Sequence, residues 1–273
     1  ILSWLANSGA TRQSRVFAIG GGVVGDLAGF VAASYMRGIG FVMVPTTLLA
    51  MVDSSVGGKV AIDIPEGKNL AGAFWQPKEV RIAVEFLKTL PERELLCGSA
   101  EIWKYGFIMD QDLIANLEAK PIGLDSRIQG IVETCVALKT RVVEQDEHET
   151  TGLRAILNFG HTIGHAIEGC LKFSGWTHGE AISVGMVYES LLGEQLNVTP
   201  PGIADRVRSA LKSQGLPTRI PPSISVEELI DYAGRDKKST ANGLGFSLLT
   251  GLGQCKLVVD VPEHALRTVL ADK

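Results

Sequence analysis

Apolar positions in the first third of the chain switch between two periods. Arg15-Val16-Phe17-Ala18-Ile19 is a short apolar run that predicts a strand, Gly20-Gly21-Gly22 a tight turn, and residues 25–36 carry apolar side chains at helical spacing. Phe41-Val42-Met43-Val44 predicts a second strand. From Pro91 onward the pattern is helical for a long way, with strand signals returning at Phe246-Ser247-Leu248-Leu249 and Lys256-Leu257-Val258-Val259. This change of period predicts two domains, a partial α/β domain over 1–90 and a mainly helical domain over 91–273, divided near Thr89-Leu90-Pro91-Glu92. Thr89 followed three residues later by Glu92 fits a capping box opening the first helix of the second domain. The most apolar stretch, residues 41–52, is broken by Pro45, Thr46 and Thr47 and is too short to span a bilayer, and no membrane partner is expected.

Composition narrows the classes. The chain has 273 residues, 45% hydrophobic and 21% charged, enough to bury a substantial core. A net charge of −4 with a pI near 5.8 argues against a nucleic-acid surface, which needs a basic field to displace counterions. Cys97, Cys135, Cys170 and Cys255 are scattered, with no Cys-x-x-Cys pair, and read as reduced thiols without a disulfide framework. Residue 1 is Ile, so the chain is read as a fragment. A cytoplasmic compartment is expected, and a plastid one only if a transit peptide preceded residue 1.

Three of the five histidines fall in one short stretch, and that concentration points to a metal site. On a helix His161 and His165 share a face, with Glu168 further along the stripe, and His178 can return to it from the next segment. Imidazoles suit Zn²⁺, whose catalytic sites use three protein ligands and an open position. A carboxylate should complete the set, and Glu101, which shares a helical face with Lys104, is the candidate. Thr162 stands where a zinc peptidase has its general-base Glu, so that class is disfavoured.

Gly20-Gly21-Gly22-Val23-Val24-Gly25 satisfies Gly-x-Gly-x-x-Gly between a strand and a helix, the geometry that offers backbone N–H groups to a pyrophosphate. The acidic residue expected at the tip of the second strand is missing, because Val44-Pro45-Thr46-Thr47 stands there, so the reading is a variant dinucleotide domain. Gly57-Gly58-Lys59 is not a P-loop, since Asp53 and Val60 replace its first Gly and its Ser/Thr. Asp53, Lys59, Lys68 and Asn69 lie on Gly-rich connections suited to a small polyanion. Lys139 shares a helical stripe with Ile128, Val132, Cys135 and Val142, a costly place for an ammonium unless it meets an anion or a cleft.

Seven segments in order carry a resemblance: Gly20 through Asp26, Val44-Pro45-Thr46-Thr47-Leu48-Leu49-Ala50, Asp53 through Lys59, Gly67-Lys68-Asn69, Ala100-Glu101-Ile102-Trp103-Lys104-Tyr105-Gly106, Leu157-Asn158-Phe159-Gly160-His161 on to Glu168, and Asp236-Lys237-Lys238. Together they resemble the 3-dehydroquinate synthase family of sugar-phosphate cyclases over nearly the whole chain. The resemblance implies an α/β N-terminal Rossmann-like nucleotide-binding domain followed by an all-α metal-binding domain, NAD and Zn²⁺ (or Co²⁺) as cofactors, and a homodimer. It also implies that further strands and helices of the family's first domain precede Ile1. By position, it implies Glu101, His161 and His178 as metal ligands, with His165 facing substrate instead. It implies NAD contacts from Gly21, Gly22, Asp26, Thr46, Thr47, Asp53, Lys68, Thr89 and Glu94. Substrate contacts would come from Asp53, Lys59, Asn69, Lys104, Lys139, Arg154, Asn158, His165, Lys237 and Arg37, the last from a neighbouring subunit. Val60 where the family commonly has Thr, and Cys97, are local departures.

The implied reaction converts 3-deoxy-arabino-heptulosonate 7-phosphate to 3-dehydroquinate and phosphate. A substrate hydroxyl is transiently oxidised, phosphate leaves by β-elimination, the ketone is reduced again, and an internal aldol step closes the ring. A 2-deoxy-scyllo-inosose or 2-epi-5-epi-valiolone synthase is the nearest rival, and Arg154 and Asn158 beside the metal histidines favour a carboxylate-bearing substrate. A metal-dependent alcohol or glycerol dehydrogenase and a non-catalytic fragment are the further alternatives.

Overall fold

A computed structural model describes residues 1–64, 67–236 and 244–271. It contains two compact units, one of Ile1–Gly98 with Leu124–Glu144 and one of Ser99–Gly123 with Gln145–Lys273.

In the first unit a short helix α1 (Leu2–Asn7) precedes β1 (Arg15–Gly20), helix α2 (Gly22–Ser34) and β2 (Gly40–Pro45). The helix starts three residues earlier than its apolar spacing implies, directly out of the glycine turn. β1 and β2 run parallel, with Arg15 opposite Gly40 and Gly20 opposite Pro45, and β5 (Glu79–Val80) extends the sheet in the order β1-β2-β5. That register places the glycine turn and Thr46-Thr47 side by side at the carboxyl end of the sheet, where open α/β sheets bind ligands. α2 can lie close on the sheet because two of its residues lack side chains. A Cβ at Gly25 would sit 2.4 Å from Met43 Cε, and one at Gly29 2.3 Å from Val60 Cγ1. Val31, Ala32, Tyr35, Ile39, Phe41, Met43 and Val60 form the core beneath.

Lys59 begins β3 (Lys59–Ile64), while Lys68 and Asn69 lie on β4 (Gly67–Phe74), and these strands pair as an antiparallel hairpin. The glycines around them predict connections for all three, and the structure places them on strands instead. The alternation in this stretch is short and mixed with Gly and charge, so neighbour pairing, not period, makes the strands. The unit is completed by α5 (Ile128–Gln145), which buries Ile128, Val132, Cys135, Lys139 and Val142 along one face as their spacing predicts.

The second unit is mainly helical. α3 (Glu92–Met109) runs into it and α4 (Gln111–Ala119) follows, opened by an Asp110 side-chain cap. The Thr89 to Glu92 capping box does not form, because the Thr89 hydroxyl donates to Phe86 O at 3.2 Å and α3 begins after Pro91, whose carbonyl accepts from Glu94 and Leu95. α6 (His161–Cys170) and α7 (His178–Gln195) pack together, with α8 (Ile203–Ser213), the hairpin strand β6 (Leu244–Gly251) and α10 (Glu263–Ala271) also against α7, and α9 (Val226–Asp236) against α6. β7 (Gln254–Val261) pairs with β6, where the two late apolar runs predict strands. α7 is buried along most of its length, the signature of a central helix, and opens with a Thr177/Glu180 capping box. Among the described residues, no helix is long and apolar enough to cross a membrane.

The close seat of α2 is testable. Gly29→Ala should lower stability by about 1–3 kcal/mol through overpacking against Val60 and Phe41, although alanine is the better helix former. A denaturant midpoint at or above the parent's would refute it.

Candidate functional site

The glycine turn of the first unit is shaped for a phosphate. Gly21 is the extended N-cap of α2 and no side chain caps that end, which leaves the Gly22 and Val23 N–H groups to a ligand or to solvent, Val24 N–H donating to Gly21 O. A Cβ at Gly21 would lie 3.1 Å from Thr47 Cγ2, and one at Gly22 3.1 Å from Ser54 Oγ, so both positions are cradles that side chains would crowd. Ser54 Oγ is buried with no hydrogen-bond partner. Thr46 N–H donates to Gly20 O at 2.9 Å, which ties the tip of β2 to the turn. These residues fit a dinucleotide phosphate.

Beneath the turn lies a charged cluster. Lys139 Nζ donates to Asp53 Oδ1 at 2.9 Å and to Asp53 O at 2.7 Å. This is the anion that its apolar stripe demands. The Asp26 carboxyl is pushed up to about 6; burial is the main cause, Lys139 opposes it, and Asp53 and Asp63 add to it. Asp53 sits on a wide π-type turn, Ala50–Ser54. Lys59, Lys68 and Asn69 are exposed on the hairpin, Asn69 in the left-handed region at φ 55, with its N–H donating to Asp63 Oδ1 at 2.9 Å. Arg37 is exposed on a bend where three successive residues have positive φ (Met36 49°, Arg37 65°, Gly38 117°), an uncommon conformation for two non-glycine residues. Thr89 and Glu94 are exposed too.

The second unit brings Glu101, His161 and His178 together. Nε2 of each imidazole lies 3.3 Å from Glu101 Oε1, and Lys104 Nζ is in contact with Oε2. Glu101 is fully buried, and neither of its oxygens meets hydrogen-bond geometry with a donor, so the carboxylate has ion-pair contacts and unused acceptor capacity. Both imidazoles are held from behind. His161 Nδ1 is 3.1 Å from Phe159 O, and a carbonyl only accepts, so the proton is on Nδ1 and the Nε2 lone pair faces Glu101. His178 Nδ1 is 3.3 Å from Glu168 Oε2, the carboxylate–imidazole arrangement that orients metal ligands. One carboxylate oxygen and two Nε2 atoms so disposed could hold a metal ion, and this nitrogen and oxygen donor set is of the kind Zn²⁺ takes.

The electrostatics suit a site for a divalent cation. Burial would raise the Glu101 pKa, but Lys104 and the two imidazoles hold it well below the usual carboxylate range. His161 is lowered to about 4, mainly by burial and then by Lys104. Burial opposes charge on His178 as well, yet the Glu101 and Glu168 carboxylates prevail and raise it to about 9, the mark of a strongly negative environment around its ring. A second group, His165 with Glu168 and His178, also has its donor atoms within 4.8 Å, but through Glu168, which already orients His178. His165 is exposed, its ring 5.3 Å from His161 centroid to centroid.

Arg154 is buried, its guanidinium donating to Glu147 O at 2.8 Å. Asn158 is exposed at the end of the short 3₁₀ helix Leu153–Asn158. Lys237 lies outside the described residues. Asp146 was missed from sequence. It accepts from the N–H groups of Thr150, Thr151 and Arg154, and these outweigh its burial to hold its carboxyl at about 2. A lone Asp ahead of Thr150-Thr151 was its only signal.

Residues 1–97 match the family model described as 3-dehydroquinate synthase N-terminal, and residues 98–239 match the one described as 3-dehydroquinate synthase C-terminal. A 3-dehydroquinate synthase from Desulforamulus reducens is 47% identical over 264 residues, covering 95% of this chain and 73% of that protein. A 2-deoxy-scyllo-inosose synthase solved with carbaglucose-6-phosphate, NAD⁺ and Co²⁺ superposes with a TM-score of 0.89 at 29% identity, over 99% of this chain and 77% of that one. A 2-epi-5-epi-valiolone synthase from Streptomyces hygroscopicus subsp. jinggangensis 5008, with NAD⁺ and Zn²⁺ bound, gives a TM-score of 0.91 at 25% identity, over 99% and 76% of the two chains.

The raised Asp26 carboxyl gives a pH signature. It holds its proton more tightly folded than unfolded, so its contribution to stability is fully present below the unfolded value of 3.8 and is lost as pH rises through about 6. Asp26→Asn should therefore melt higher than the parent at pH 7, by about 1 kcal/mol after discounting for partial exposure, with the gap closing near pH 4. Parallel melting curves across that range would contradict the shift.

Proposed function

We propose that this chain, which belongs to the 3-dehydroquinate synthase family, converts 3-deoxy-arabino-heptulosonate 7-phosphate to 3-dehydroquinate and phosphate, as a lyase of the shikimate pathway using NAD and a divalent metal. The observation that carries the reading is Glu101, a fully buried carboxylate paired with Lys104 through one oxygen and facing two imidazole Nε2 atoms with the other, in a chain 47% identical to a 3-dehydroquinate synthase. The cyclases of other sugar phosphates are 29% and 25% identical and are the weaker match.

When bound, NAD supplies reversible hydride transfer and the metal supplies Lewis-acid polarisation of the reacting oxygens. Glu101, His161 and His178 would hold the metal; Zn²⁺ suits this donor set and Co²⁺ is an alternative. Gly21, Gly22, Thr46 and Thr47 would cradle the NAD phosphates, with Asp26, Asp53, Lys68, Thr89 and Glu94 as further contacts. Lys104 keeps Glu101 ionised and offers positive charge to a bound oxygen. Arg154, held by Glu147 O and 3.6 Å from the Glu149 carboxylate, would supply a guanidinium to a substrate carboxylate. Lys139 is held in place by Asp53, while Lys59 and Asn69 bring a cation and an amide on the hairpin. His165 and Asn158 would meet substrate hydroxyls, and Arg37 would serve a neighbouring subunit of a homodimer. Lys237 is assigned to substrate on resemblance alone. The functional division near residue 90 is retained, with the α/β segment for NAD and the helical segment for metal. Four free cysteines suit the reducing cytoplasm, and the net negative charge speaks against a nucleic-acid partner.

The decisive assay is phosphate release from 3-deoxy-arabino-heptulosonate 7-phosphate with no accumulation of reduced nicotinamide; a dehydrogenase would accumulate it and release none. For the ligand set, Glu101→Ala and His178→Ala should each lose stoichiometric zinc, because a three-ligand site reduced to two loses most of its affinity. His165→Ala should keep zinc and turn over slowly. Zinc retained by both of the first two variants, or lost from the third, would overturn the assignment.

A further inference from the structure

Glu189, in the middle of α7, has no part in these assignments, yet it is fully buried. Its oxygens reach across to α6, where Oε2 accepts from Gly160 N–H at 2.7 Å and Oε1 from Ile163 N–H at 3.1 Å. In a capping box, the N-cap side chain accepts from the third helical residue, whose own acid accepts from the N-cap N–H. Gly160 is the N-cap of α6 and Ile163 its third residue, so one carboxylate from another helix performs both halves. α6 cannot do this for itself. Gly160 has φ 81, and a Cβ there would lie 2.4 Å from Met186 Cγ and 2.8 Å from Ile182 O. Between the two clamped N–H groups stands His161, projecting from the turn of a helix that frays first when uncapped. α7, which opens with His178, has its own capping box.

We propose that Glu189 is a positioning residue for the metal centre: by capping α6 from α7 it fixes the bearing of the His161 ring toward Glu101 and His178, and so strengthens divalent-cation binding without touching the cation. This rests on the reading of Glu101, His161 and His178 as the ligands.

The test is Glu189→Gln, in which an amide offers one acceptor oxygen and turns its NH₂ toward the other N–H. Purified protein is assayed for zinc affinity by chelator competition, for the visible spectrum of the cobalt(II) form, and for melting without metal. Zinc binding should weaken roughly 10- to 100-fold, as for loss of an orienting partner, and the cobalt spectrum should shift. Melting of the metal-free protein should fall no further than in Thr199→Val, which deletes a buried hydroxyl bond to Leu249 O (2.6 Å) in the same unit and should leave zinc affinity at the parental level. Parental affinity in Glu189→Gln, or an equal loss in Thr199→Val, overturns the proposal. Should Glu189→Gln be recovered only unfolded, Glu189→Asp is read by the same measurements; intermediate affinity supports the proposal and parental affinity overturns it. Stoichiometric zinc in Glu101→Ala and His178→Ala would instead defeat the ligand reading, so the two failures are distinguishable.

Discussion

Where α6 crosses α7, main chain rests on main chain. A Cβ at Gly185 would lie 1.9 Å from Gly160 O, and one at Gly164 3.0 Å from Ile182 Cα. The distance between two packed helices is set by the side chains at their contact, and here Gly160, Gly164 and Gly185 contribute none, so α7 seats its backbone and the Ile182 and Met186 side chains directly on the start of α6. Each helix begins with one of the two histidines that meet Glu101. The arrangement of imidazoles therefore depends on close backbone contact and on caps at two helix starts.

Both units hold a lysine against a carboxylate in poorly solvated surroundings, Lys104 with Glu101 and Lys139 with Asp53. Such pairs are poor stabilisers, because desolvating two charges offsets most of their attraction. Their value lies in what they hold ready. Lys104 keeps a buried acid ionised, which a metal ligand must be, and Lys139 joins α5 to the turn that bears Asp53. A hydrophobic replacement of similar volume would serve the fold as well but would remove the charge.

Sequence disclosed what local periodicity writes. The strand, glycine turn and helix at 15–34, the apolar stripe of α5, the β6–β7 hairpin and the histidine face of α6 all follow from repeats of two or about four residues. Glu101 and Lys104 were legible as a pair because three residues on a helix bring them to one face. Features made by distant partners were not. Glu189 sits in a largely buried helix and acquires meaning only from two N–H groups more than twenty residues upstream. Lys139 showed its cost in sequence but not its partner, since Asp53 lies 86 residues away. The β3–β4 hairpin hid behind glycines and charges, and the apparent cap at Thr89 failed because that residue ends a preceding 3₁₀ turn, Val84–Thr89.

The glycine contact between α6 and α7 also bears on how such a chain can diverge. Substitutions in a side-chain-packed core shift neighbouring elements by fractions of an ångström, and those shifts accumulate as sequences drift. A backbone stop at Gly160 and Gly185 gives them nothing to push against, because neither position has a side chain to resize. The surrounding helical core is thus free to exchange its apolar residues over long divergence, while the spacing of the two imidazoles stays where the main chain put it.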